Sequence, residues 1–216
     1  AVRVGRRRHD DDHDLCRASG QSGARSDEGH HPGSCWPSAG HPLAIRLRAK
    51  TSRAYAQLGD RETFATLFAE ARNLHDQMPT QTPRRFTLDT GRMASYAIAA
   101  HPAQAYLWLG DFHAAKTHSE VALAVHESAP PGDSSPGKGS IARLDLAIAL
   151  AHLGSPDEAA ALGGQALTST SALGSVLTHA RDLNAALVSR YPTLTCVRDF
   201  HEQYRQIARG PTRNAD

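Results

Sequence analysis

Cysteine, methionine and aromatic residues are scarce in this chain of 216 residues, which has three Cys, two Met, two Trp, five Tyr and five Phe. The cysteines, Cys16, Cys35 and Cys196, are odd in number and far apart. That argues against a disulfide framework and fits a reducing cytoplasm. No apolar run approaches the ~20 residues a helix needs to cross a bilayer, and the Arg-rich N-terminus lacks the apolar core of a secretory signal. The chain is therefore read as cytoplasmic and without a membrane partner. Neither sign of charge dominates: the formal net charge is +2, so nothing global demands nucleic acid or an anionic membrane. Alternating β-branched runs are almost absent as well, which removes β architectures.

What is present falls into unequal parts. Residues 1–41 include "RRRHDDDHDLCRASGQSGARSDEGHHPGSCWPSAG" and show neither helical nor strand periodicity. Such a stretch buries too little apolar surface to offset its ordering entropy, and it is expected to be disordered. Its residue mix also resembles an out-of-frame reading of a GC-rich gene. Residues 42–209 are dominated by Ala, Leu and other good helix formers. Breakers there are spaced: "LGD" at 58–60, "MPTQTP" at 78–83, "LGD" at 109–111, "SAPPGDSSPGKGS" at 128–140, "LGS" at 153–155 and "YPT" at 191–193. Amphipathic stretches of ordinary helix length lie between them. Residues 42–209 are expected to form an all-α domain, and 210–216 a disordered tail.

Aligning "QLGD", "WLGD" and "HLGS" exposes an internal repeat. Phe64, Ala115 and Ala159 stand five residues beyond the Gly, and Ala71, Ala122 and Ala166 twelve beyond. Small residues there let a second helix lie close against the first. Tyr55, Tyr106 and Leu150 precede the Gly by four residues and are expected to fill the seam. The Gly supplies a left-handed turn, and Asp60, Asp111 and Ser155 follow as candidate caps for the next helix. The units run over about 43–77, 94–127 and 140–170. Pro102 inside the second unit is expected to bend its first helix or delay its start. Two more helices, "ALGSVLTHARDLNAALVSRY" and "TLTCVRDFHEQYRQIAR", read as a half repeat and terminal cap.

This spacing resembles the tetratricopeptide repeat, a helix–turn–helix unit of about 34 residues. "AQAYLWLGDFHAAKTHSEVAL", "IARLDLAIALAHLGSPDEAAALGGQAL" and "VRDFHEQYRQIA" are together similar to the C-terminal region of actinobacterial XRE-type transcriptional regulators. The resemblance implies a right-handed solenoid of antiparallel helix pairs, the sensor or interaction half of a regulator, and a homodimer in some members. No helix-turn-helix is found in residues 1–40, so DNA enters only through a domain absent from this chain. A stand-alone scaffold for protein–protein interaction is the second reading.

In the repeat family the first helices of successive units line a groove. Threading the repeat onto this chain puts Arg46, Arg53 and Gln57 there from unit one, His101, Gln104 and Trp108 from unit two, and His152 from unit three. Arg and Trp are the residue types that anchor interfaces, and a basic groove suits an acidic segment or a peptide carboxylate. The other suggestive stretches are weaker. "HDDDHD", His30, His31, Cys16 and Cys35 lack metal-ligand spacing. "PPGDSSPGKGS" fails the phosphate-loop order and reads as a linker. His113 and His118 fall on the expected solvent face, and Cys196 reads as a packing residue. The expectation is a non-enzymatic module without catalytic residue, metal or cofactor, binding a peptide, small ligand or protein.

Overall fold

A computed structural model of the chain describes residues 41–78, 90–130, 135–168 and 174–209. The expected disordered segment, His41 apart, and the expected tail lie outside these residues, as does most of "MPTQTP". Among the described residues the fold is all-α, with no strand. The helices are α1 (Pro42–Gln57), α2 (Arg61–Asp76), α3 (Thr90–Leu109), α4 (Phe112–Glu127), α5 (Pro136–His152), α6 (Pro156–Thr168), α7 (Gly174–Arg190) and α8 (Thr195–Ala208).

The short connections after α1, α3 and α5 share one construction. Gly59, Gly110 and Gly154 have φ of +80°, +76° and +92°, a region that costs an L side chain roughly 1–2 kcal/mol. The next residue then turns its N–H back onto the finished helix. Asp60 donates to the Tyr55 carbonyl at 3.0 Å, Asp111 to Tyr106 at 2.9 Å, and Ser155 to Leu150 at 2.9 Å. This is the six-to-one bond of a Schellman turn, which satisfies a carbonyl left over at the helix end. Asp60 and Asp111 also open the following helix: a carboxylate oxygen of each accepts from the N–H of Thr63 and of Ala114, both at 3.0 Å. One residue closes a helix with its backbone and caps the next with its side chain. Arg61, at the start of α2, adds a guanidinium bond to the Leu109 carbonyl at the end of α3.

Each helix packs chiefly on its neighbours: α1 on α2 and α3, α3 on α4, α4 on α5, α5 on α6 and α7, and α8 on both α6 and α7. The sequence places small residues where these surfaces meet, and Ala71, Ala115, Ala122, Ala159 and Ala166 are all 0–1% exposed. The neighbour-to-neighbour pattern is compatible with a repeat array. In the last pairs the seam is filled by larger groups, among them Leu144, Leu183, Leu187, Val197 and Phe200.

Several expectations are corrected. Tyr55 does not fill its seam but is 37% exposed. Phe64 instead seeds an aromatic group with Phe68 and Tyr106, meeting the Tyr106 ring edge-on at 5.1 Å between centroids. His118 does not face water: it stacks on Tyr106 at 5.4 Å and meets Phe68 at 5.5 Å. A histidine ring presents an apolar body that such a group accepts. His113 is exposed. Pro102 does not delay α3, which begins at Thr90 and continues through it to Leu109. The linker reading also fails at its C-terminal end, since α5 starts at Pro136 and includes "PGKGS". Proline fits the first helical position, where no N–H is needed. Gly139 is buried as α5 closes on α4, where a side chain on it would run into His126, and buried Ser140 donates its hydroxyl to the Ala166 carbonyl of α6 at 3.1 Å.

Gly110→Ala is expected to lower unfolding free energy by about 1–2 kcal/mol, although no neighbouring atom obstructs the added methyl. Gly110→Asn, which tolerates the left-handed region better, should recover part of the loss in urea titrations. An unchanged midpoint for the alanine variant would remove the turn from the list of folding determinants.

Candidate functional site

Asp145 is the acidic residue inside the largely apolar run of α5, "IARLDLAIALAH", and it is 2% exposed. A carboxylate taken out of water needs a close donor. His179 of α7 supplies one, with Nδ1 2.7 Å from Asp145 Oδ1. On the other side of that ring, Nε2 lies 3.1 Å from the side-chain nitrogen of Gln104 on α3. The Gln104 carbonyl oxygen accepts from Arg53 Nη1 of α1 at 2.6 Å. The chain of bonds joins α1, α3, α7 and α5, the first helix of each pair.

The direction of every bond follows from Arg53. A guanidinium only donates, so Gln104 must turn its oxygen towards Arg53 and its NH2 towards His179. His179 Nε2 must then accept, which leaves its proton on Nδ1, donated to Asp145. In this arrangement the imidazole is neutral. Burial alone pushes the His179 pKa down, but the Asp145 charge and hydrogen bond outweigh it and set it above the usual value. The hydrogen-bond order thus suits the neutral ring, whereas the neighbouring carboxylate favours the protonated one.

A second group lies around His101 on α3. Burial lowers its pKa to about 4, aided by the positive charges of Arg53, Lys50, Arg46 and Lys138. Arg46, Lys50 and Arg53 recur at helical spacing along α1, whereas Lys138 comes from the first turn of α5. Lys138 sits over the Tyr96 ring at 5.3 Å, and Tyr96 donates its hydroxyl proton to the Lys138 carbonyl at 3.0 Å. Burial, then repulsion from Arg46, lowers the Lys138 pKa. None of Arg46, Lys50, Arg53 and Lys138 forms an ion pair among the described residues. Arg48 on another side of α1 pairs with Glu70 at 3.0 Å, and Arg143 pairs with Glu127 at 2.9 Å. Trp108, 41% exposed, lies beneath Arg53 with the guanidinium 5.9 Å from its ring.

The structure therefore brings Arg46, Arg53, His101, Gln104 and Trp108 to one region. Gln57 is exposed at the end of α1. His152 does not join them; it stacks on Phe112 of α4 at 3.9 Å. It lies at the C-terminal end of α5, many turns from Lys138. Sequence reasoning missed Lys50, Tyr96, Lys138, Asp145 and His179. Asp145 carried a signal, a lone acid in an apolar stretch, but its partner is 34 residues away. Cys196 packs against the C-terminal core. Among the described residues no three His, Cys, Asp or Glu side chains converge as metal ligands, and no helix is long and apolar enough to cross a membrane. Comparison with protein-family models, curated proteins and solved structures finds no match to this chain.

His179→Ala strands a buried carboxylate and is expected to cost about 3–5 kcal/mol, most of it recovered in the double variant Asp145→Leu/His179→Leu. Equal loss in single and double variants would show that the pair is not what stabilises this region. The His101 shift makes a separate prediction. Its folded pKa of about 4 lies below the unfolded value, so the unfolded chain binds a proton that the native state refuses. The His101 contribution to stability is full above about pH 6.5 and falls by up to about 3 kcal/mol towards pH 4. Denaturation curves at several pH values should show this slope in the wild type and lose it in His101→Gln.

Proposed function

We propose that the chain is a non-enzymatic helical interaction module that binds an acidic peptide segment on the face shared by α1 and α3. The observation that carries this reading is the cluster of Arg46, Lys50, Arg53 and Lys138, whose positive charges all act on His101; none forms an ion pair among the described residues, and the Asp145 charge acts on Arg53 without one. Like charges gathered on one face repel one another, and an anionic occupant relieves that cost. Trp108 beside Arg53 supplies an apolar platform with a bound cation, a pairing common at the centre of interfaces. The resemblance to XRE-type regulators supports the further reading that this module is the sensing half of a regulator whose DNA-binding domain lies outside the chain. An in-frame helix-turn-helix upstream of residue 1 supports that assignment, and its absence supports a stand-alone scaffold.

A fluorescein-labelled hexaglutamate peptide tests the groove. Binding by anisotropy is expected for the full chain, to weaken with salt, and to be lost in Arg46→Glu/Lys50→Glu. Thermal unfolding of that variant should stay within about 0.5 kcal/mol of wild type, since both residues are at least partly exposed. Tighter binding of a labelled oligothymidylate than of hexaglutamate would replace the peptide with a nucleic acid.

A further inference from the structure

Gln104 occupies Nη1 of Arg53, one of the two terminal nitrogens that an end-on, two-point contact with a ligand carboxylate uses. A carboxylate bound to guanidinium makes charge-assisted bonds, roughly twice as strong as those to a neutral amide. Gln104 is thus a weak occupant of a strong donor. Its other end is constrained as well, since its NH2 serves His179 only while its oxygen serves Arg53.

We infer that a carboxylate of the bound peptide displaces Gln104 from Arg53, and that Gln104 then turns its carbonyl to His179, which takes a proton from solvent at Nε2. Binding is thereby coupled to protonation of a residue on α7. This rests on the peptide reading above. The balance is simple: one proton leaves water or buffer and one N–H forms on His179. The imidazolium donates from Nδ1 to Asp145 and from Nε2 to Gln104, so both protons are satisfied. Charge is matched too, because the ligand carboxylate now faces Arg53 while Asp145 faces the new cation. The charged groups acting on His179 are Asp145 of α5, Asp182 of α7 itself and Arg53 of α1. Burial and Arg53 oppose the protonated ring, whereas Asp145, through its charge and hydrogen bond, and Asp182 favour it; the turned amide adds an acceptor on their side.

The test follows the His179 ring nitrogens by NMR in the full chain as pH is varied, with and without saturating hexaglutamate. Saturation is expected to raise the His179 midpoint by about one unit, equivalent to roughly tenfold tighter peptide binding below both midpoints than above them. In Gln104→Leu, which changes no charge but removes the amide from both its partners, the peptide should shift His179 clearly less than in wild type. A peptide-induced shift of equal size in wild type and variant would reduce the effect to plain electrostatics and overturn the displacement. The side-chain NH2 resonances of Gln104 answer the same question in wild type without a substitution: they move on saturation if the amide turns, and their constancy overturns the inference. Loss of the groove reading looks different, as hexaglutamate then fails to bind or binds Arg46→Glu/Lys50→Glu equally well.

Discussion

A carboxylate inside an apolar helix dictates much of what surrounds it. Asp145 sits among residues of α5 that are buried on every side, so its charge cannot be left to water. The pair with His179 at 2.7 Å fixes α7 on α5. At the far end the Arg53 guanidinium, which only donates, fixes the orientation of Gln104, and Gln104 in turn leaves a proton for Asp145 on His179. Two charges, one at each end, thus set hydrogen-bond polarity across four helices that are distant in sequence. Apolar burial supplies most of the stability, but it carries no direction. The direction comes from donors and acceptors that fit in only one order.

Two kinds of surface arise from the same helices. On α1, Ala49, Ser52 and Ala56 face the packed seam, and Arg48 leans to Glu70. Arg46, Lys50 and Arg53 occupy a third stripe, where their field converges on His101. Keeping His101 neutral is a consequence of that field and of burial, not of a hydrogen bond. Cations therefore dominate this face of α1, with Asp145 acting on Arg53 from within.

The helix pairs were largely legible in the chain because their signals are local. Gly59, Gly110 and Gly154 announce a backbone sign, and Asp60 and Asp111 announce a cap within three residues of its target. The Asp145–His179–Gln104–Arg53 chain was not legible, because each bond spans 34 residues or more. Lys138 was hidden for another reason. Gly and Pro around it are loop formers in isolation, yet here the prolyl ring starts a helix and the small residues admit α4. His118 was misplaced because periodicity assigns a face but not the neighbour that face meets.

Much of the interior is alanine: of the side chains buried in α1–α4, Ala44, Ala49, Ala56, Ala71, Ala97 and Ala105 are all under 4% exposed. Alanine loses no rotamer freedom when it is buried, so these seams form without that entropic cost. They also present few knobs and shallow holes, unlike the leucine-rich seam between α5 and α7. Smooth surfaces resist sliding weakly. The Arg53–Gln104 bond between α1 and α3 is therefore a directional contact laid across a seam made largely of alanine.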